Sequence, residues 1–549
     1  LGMECSCKHI LLSGLLVTNL LAEAQDKYFV EFTDKKGTPY SVDRPKEFLS
    51  QRAIDRRLRQ NLFITDADLP VSPGYTQQVV AVGVNLLYTS RWFNGAVVSA
   101  TTNSAIEAVR SLSFVKSVTK VFDAGKKGSE LGLEVEEQDY HPSRVKSDTF
   151  NYGISGTQVR MLKGNTLHNN GHQGQGVVIA VLDAGFYRVD TYPAFDSLRK
   201  HNRILGTKDF VDPASDIYNE HLHGMIVLSA MAGYVDGQLV GTAPKASYWL
   251  IRTEDGRSEQ LIEEYNWVAG AEFADSLGAD IINTSLGYTT FDVESQNHTQ
   301  NQLDGKSCPI SIAAGMAADK GMLVVVSAGN EGDNAWHSIS VPADAYNILA
   351  VGSVSSSGVH SYFSSYGPSA DGRIKPEVMA MGEGTVCVSG SGSIGTANGT
   401  SLSAPVISGL AACLWQSRPE LTATELRSLI INSSSLCDNP NNALGYGIPD
   451  FDLALNRIDQ LPDTVRGITV SPNPFDNHLV ITFPAPIAEK VKVSLLGING
   501  QTVFTAPKRI EGITVSVDFP RRVVDGTYVL MLVGKHSVWR AKVVKRSGC

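Results

Sequence analysis

Positive charge is in deficit along this 549-residue chain: 47 Lys and Arg face 56 Asp and Glu, a formal net charge of −9. A nucleic-acid partner, which usually demands a basic face, is thereby disfavoured. Cysteine is scarce. The seven are Cys5, Cys7, Cys308, Cys387, Cys413, Cys437 and Cys549, at no metal-ligand spacing. Long apolar runs are missing except at residues 10–21, too short a run for a membrane span. It follows Lys8 and His9 and precedes "AEA" at 22–24, so residues 1–24 read as an export signal, with Met3 as a translation start. A short buried helix is the alternative. With the signal gone, five cysteines remain, enough for one or two disulfides in an oxidising compartment. No transmembrane segment is then expected in the mature protein, and there is no long internal repeat or low-complexity stretch.

The length calls for about three domains. Residues 25–125 read as a small α/β unit, with "YFVEFTD" alternating like a strand, "AIEAVRSL" helical and "VKSVTKVF" a strand again. A polar, acidic linker follows at 126–152. Across 153–458, continuous apolar strands such as "VVIAVLD" and "GMLVVVSAGN" alternate with helical runs such as "EEYNWVAGAEFADSLG". That texture predicts an α/β fold with a doubly wound parallel sheet covered on both faces. Residues 467–549 break into short strands and turns, the pattern of an all-β sandwich.

Ligand sites in parallel sheets lie beyond the C-terminal ends of the strands. "VVIAVLD" stops at Asp183, His223 opens a helix of small residues in "EHLHGMIVLSAMAG", and Ser401 opens another in "NGTSLSAPVISGL". Taken alone, Ser401 is equally well an N-cap, with Pro405 tolerated in the first turn. Beside an acid and an imidazole it becomes a nucleophile with its base and orienter. The order Asp, His, Ser is neither the α/β-hydrolase order nor the trypsin-like one, and no G-x-S-x-G elbow surrounds Ser401. His221 forms no metal set with His223, for want of a third ligand, and reads as a supporting or surface residue.

"IAVLDAGF", "HGMIVLSAMAG", "VSAGNEG", "FSSYGPSADGRIKPEV" and "GTSLSAPVISG" together resemble the motifs of the subtilisin-like serine peptidases, the subtilase family. The resemblance implies an endopeptidase that hydrolyses peptide bonds of proteins through an acyl-enzyme. Asp183, His223 and Ser401 would be its triad and Asn330 the side-chain donor to the oxyanion. Ser285, Leu286 and Gly287 would offer backbone to an extended peptide. No cofactor or catalytic metal is implied. Structural calcium is common in such enzymes, but no acidic cluster here is specific enough to assign. Departures from the family pattern, namely Ala184, Met225, Leu228, Leu402, Ser403 and Val406, remove no reacting group.

The flanking units carry weaker resemblances. Residues 25–125 resemble an inhibitory propeptide, to be cut off within 126–152, with a permanent accessory domain as the alternative. "VSPNPFDNHLVI", "VSLLGINGQTVF" and "GTYVLMLV…AKVVKR" resemble the sorting domain of the type IX secretion system, with a substrate-binding sandwich as the alternative. Sorting implies passage through the periplasm of a Gram-negative bacterium to the medium or the cell surface. Two other functional classes remain open, a catalytically silent adhesin and an acyl hydrolase that is not a peptidase.

Overall fold

The computed structural model describes residues 25–60, 62–126, 128, 135–137, 148–460, 468–497, 502–520, 522–533 and 538–548. The signal expected at 1–24 and much of the linker lie outside the described residues.

The N-terminal unit is an antiparallel sheet of β1 (Asp26–Phe32), β2 (Asn85–Ser90), β3 (Gly95–Ala100) and β4 (Val115–Phe122), in the order β2-β3-β1-β4. Helices α1 (Gln51–Gln60), α2 (Pro73–Ala81) and α3 (Asn103–Arg110) complete it. The alternation in β1 divides its side chains between two faces. Tyr28, Val30 and Phe32 join Val79, Ile106 and Val109 beneath the helices. Phe29 turns the other way, with Val97 and Val121, onto Ile262 and Tyr265 of the central unit.

After the short strand β5 (Val135–Glu137) comes the central unit. Its seven-stranded sheet contains β6 (Val178–Asp183), β7 (Ile204–Asp209), β10 (Ser247–Arg252), β11 (Ile281–Thr284), β12 (Leu323–Ser327), β13 (Leu349–Val354) and β14 (Val378–Met381). The order is β14-β13-β12-β11-β6-β10-β7, and every pairing is parallel. A two-stranded ribbon, β8 (Tyr234–Val235) with β9 (Leu239–Val240), lies between β7 and β10. Short helices α4 (Gly156–Arg160), α5 (Gly164–Asn169) and α6 (Asp196–Lys200) precede the longer α7 (His223–Ala232), α8 (Ile262–Leu277) and α9 (Pro309–Asp319). The run in β6 is continuously apolar because both its faces are covered: Ile179 and Val181 meet the α7 side, Ala180 and Leu182 the α8 side. The hairpin β15 (Thr385–Val388) and β16 (Ile394–Ala397) then leads into α10 (Thr400–Ser417), followed by α11 (Ala423–Asn432) and α12 (Phe451–Gln460). Doubly wound architecture follows, as the strand-helix alternation predicts.

The C-terminal region is all-β: β17 (Thr469–Ser471), β18 (His478–Gly497), β19 (Thr502–Asp518), β20 (Gly526–Val533) and β21 (Val538–Lys545). The short strands expected of a sandwich are segments of long ones. β18 pairs with β19 along both its halves across a register shift between Thr482 and Ile487, and with β20 only in its second half. One sheet thus curls around Leu479, Ile481, Val493, Leu530 and Trp539.

The N-terminal unit grips α8 through buried charge. Glu272 accepts hydrogen bonds from Ser90 Oγ and from the backbone N–H groups of Arg91 and Trp92. Asp275 meets Arg56, Arg57 and Arg91. Burial alone would raise the Asp275 pKa, but the three guanidiniums outweigh it and hold the carboxyl well below the usual range. Cys308, Cys387, Cys413 and Cys437 are free, so the disulfides allowed for in the sequence are not formed among them.

Candidate active site

Asp183 is the last residue of β6 and is fully buried. Its Oδ1 accepts from the Ala184 N–H at 2.8 Å and meets His223 Nδ1 at 2.7 Å. Oδ2 has no hydrogen-bond partner among the described residues. The next residue being Ala184, no hydroxyl stands there to supply one. Arg252, at the end of the adjacent β10, donates from Nε to the Ala184 carbonyl at 3.0 Å and is itself held by Asp209 and Glu220. It props the turn that follows Asp183.

His223 begins α7 and is 4% exposed. Its own N–H donates to His221 Nδ1 at 3.2 Å, so His221 serves the start of α7. Gly224 allows the helix to sit this close: a Cβ there would lie 2.9 Å from the Asp183 Cβ. Burial alone would lower the imidazole pKa. The charge and hydrogen bond of Asp183 outweigh it, the Glu254 charge adds to them, and the balance lies above the ordinary value.

Ser401 is the second residue of α10 and is 7% exposed. It is not the N-cap. Gly399 holds that place without a side-chain bond, and Ser401 Oγ donates to the Ser285 carbonyl at 3.1 Å. Pro405 falls in the second turn rather than the first, and its position has a consequence. Four residues beyond Ser401, it brings no N–H to the Ser401 carbonyl. Ser285 Oγ fills the gap, donating to that carbonyl at 2.9 Å. Two reciprocal bonds therefore tie Ser401 to the chain leaving β11.

Asn330 lies three residues past β12 and is exposed. Its Oδ1 accepts from the N–H and Oγ1 of Thr400, each at 2.9 Å. With Oδ1 so occupied, Nδ2 is left to face outward at the start of α10. Of the three backbone residues expected to serve a peptide, Ser285 holds Ser401. The Leu286 carbonyl turns inward to Ser327 Oγ at 3.3 Å. Gly287 packs on Ser340, whose Oγ would be 2.1 Å from a Cβ at that position. The structure thus gathers the ends of β6, β11 and β12 with the starts of α7 and α10 on one sheet edge.

Glu254 escaped the sequence reading, although it lies two residues past β10 on that same edge. It is buried, and Tyr288 Oη donates to its Oε2 at 2.5 Å. Burial pushes its pKa up to about 7; the Tyr288 bond opposes this, the Asp183 charge adds to it and the His223 charge opposes it. Glu254, Glu259 and Glu263 bring carboxylate oxygens within 4.8 Å of one another. Three such oxygens fall short of the six to eight that calcium takes, so no calcium ligands are assigned to them.

Two comparisons bear on this geometry. Residues 174–447 match the model of the Subtilase family, and residues 27–131 match that of the Peptidase S8 propeptide domain, Bacteroidota. Among similar proteins, Subtilisin NAT of Bacillus subtilis subsp. natto is 28% identical over 307 residues, 55% of this chain and 70% of its own. The Subtilisin of Bacillus pumilus is 28% identical over 288 residues, 52% of this chain and 91% of its own.

The electrostatics around His223 generate a pH prediction. A base must be neutral to act, so activity falls as the pH drops through the imidazole pKa. Glu254→Gln removes a charge that raises this pKa. The acid limb of the kcat/KM profile should therefore move to lower pH, and an unmoved limb would exclude coupling between the two groups.

Proposed function

The chain is a serine-type endopeptidase of the subtilisin family, and on that premise we propose that Asp183, His223 and Ser401 are its catalytic triad. The observation that carries the reading is the 2.7 Å Asp183–His223 hydrogen bond on the sheet edge where Ser401 opens α10. Asp183 fixes the imidazole with Nδ1 turned inward, leaving Nε2 as the base. A turn of Ser401 about χ1 exchanges the Ser285 carbonyl for Nε2, and Oγ then attacks the scissile carbonyl. His223 carries the proton from Oγ to the leaving amine, and water reverses the sequence on the acyl-enzyme.

The oxyanion that forms on attack needs donors already in place. The Ser401 N–H points from the positive end of an 18-residue helix, and Asn330 Nδ2 is oriented beside it through the Thr400 bonds. Losing one such amide costs about two to three decades in rate, as measured in a subtilisin. The backbone of Ser285, Leu286 and Gly287 would receive an extended peptide substrate as an added strand.

In this reading residues 25–125 act as an inhibitory propeptide. Support comes from the family match at 27–131 and from the buried grip on α8. Residues 1–24 serve as an export signal and residues 467–549 as a type IX sorting domain, on the strength of their sequence motifs. The enzyme would then leave a Gram-negative cell through the periplasm, for the medium or the cell surface. Among the described residues no helix is long and apolar enough to cross a membrane.

Ser401→Ala should reduce kcat/KM on a protein substrate by several decades while the fold persists, and Asn330→Ala by about two to three decades. Full turnover by a folded Ser401→Ala protein would end the assignment, and ester hydrolysis without protein hydrolysis would favour a non-peptidase acyl hydrolase. Deleting residues 467–549 should retain the enzyme within the cell envelope of its native host. Normal yield of the truncated enzyme in the medium would show that the tail is no address.

A further inference from the structure

Between β4 and the central unit the described residues touch two places, the loop after β10 and the strand β16. Beyond β4, the Asp123 N–H donates to Gln260 Oε1 at 2.7 Å. Five residues on, Gly128 lies against the same loop, so close that a Cβ on it would stand 2.3 Å from Ser258 Cα and 2.5 Å from the Arg257 carbonyl oxygen. The next described residues, β5, pair antiparallel with β16, Val135 facing Ala397, Glu136 facing Thr396 and Glu137 facing Gly395. β16 runs directly into Ser401 by way of Asn398 to Thr400. Gly395 leaves room for the incoming strand, since a Cβ there would lie 2.6 Å from the Glu136 carbonyl oxygen. Seven residue steps separate Gly128 from Val135, an extended reach of at most about 25 Å. A cut between these two places would leave the amino side of the strand at Ser258 and its carboxyl, leaving-group side at β16.

One side chain of β5, that of Glu137, is held by two hydroxyls. The turn between β15 and β16 carries a buried Ser389 and an exposed Ser391. Their hydroxyls both donate to Glu137 Oε1, at 2.7 and 2.6 Å, and these two bonds draw the Glu137 pKa down. A hydroxyl pair aimed at one carboxylate oxygen stabilises the anion and offers a lysine no acceptor charge.

We propose that the edge of β16 on which β5 lies, with Ser389 and Ser391, is the leaving-group-side subsite for peptide substrates, where it takes an extended strand and prefers a carboxylate opposite Gly395. The linker strand Val135–Glu137 is its first occupant, and the maturation cut falls between Gly128 and Val135. This inference rests on the peptidase reading above and adds the substrate's side-chain chemistry to it.

The test uses the self-processed enzyme and two internally quenched peptides that copy residues 124–140, one with Glu at the position of Glu137 and one with Lys. Any residual occupancy of β16 by the enzyme's own strand competes equally with both and leaves their ratio of kcat/KM untouched. The Glu peptide should be favoured by roughly three- to tenfold, the size expected of charge-assisted hydrogen bonds at an exposed site. In the Ser389→Ala/Ser391→Ala protein the ratio should fall to about one, whereas Ser391→Thr, which keeps the hydroxyl, should retain a preference. N-terminal sequencing of the processed enzyme should place the cut between residues 128 and 135. A wild-type ratio of one, a ratio unchanged by the double substitution, or a cut outside that interval overturns the proposal while leaving the triad standing. An enzyme that cuts neither peptide, and behaves like its Ser401→Ala variant, overturns both.

Discussion

A carboxylate buried at the end of a β-strand sets the terms for the central unit. Asp183 lies with no exposed surface at the end of β6, and an uncompensated charge in such a place costs several kcal/mol. Compensation comes from the Ala184 N–H and the His223 imidazole, each of which must be held at a fixed angle. Gly224 lets α7 approach closely enough for the imidazole to reach, and Arg252 pins the turn from which the Ala184 N–H projects. Both bonds fall on Oδ1, and the one to His223 also orients the ring, so the interaction that stabilises the fold here also prepares the base.

The rest of the edge is arranged around Ser401 by a similar economy of partners. Pro405 withholds an N–H, Ser285 Oγ replaces it, and Ser401 Oγ bonds back to the Ser285 carbonyl. A helix defect thus becomes a link between the nucleophile and the strand beside which a peptide would lie. Thr400 performs the same service for Asn330. Acidic residues after β10 carry the electrostatic burden: Glu259 in the loop and Glu263 at the start of α8, like Glu254, have pKa values raised first by burial, and the Glu254 charge adds to both shifts.

Legibility in the sequence followed how local each signal was. Asp183, His223, Asn330 and Ser401 could be picked out because each stands at or within a few residues of the end or start of an element, and the parallel sheet was readable from continuous apolar strands. The strands β7 and β14 and the β15–β16 hairpin were not, since "ILGTKD", "VMAM" and "TVCV" are short and carry no period of their own. Glu254 and Arg252 were invisible for another reason. Their roles depend on Tyr288, Asp209 and Ala184, distant or across a strand, and nothing in "IRTEDG" announces that either is buried. The docking of α1 through Arg56 and Arg57 was missed likewise, because an arginine-rich helix reads as solvated until its partner Asp275 is known. In the tail, turn residues within β18 and β19 suggested breaks that the curled sheet spans with a register shift.

The most direct test of the account is where, and at what pH, a peptidyl diphenyl phosphonate reacts. The reagent forms a phosphorus–oxygen bond with an activated serine and releases phenol, so each adduct marks a nucleophile with a working base. Digestion and mass spectrometry should find one adduct, on Ser401, forming more slowly as the pH falls through the His223 pKa and not at all in His223→Ala. An adduct on another residue, or a Ser401 adduct that forms equally fast without His223, would contradict the claim that the Asp183–His223 pair activates this serine.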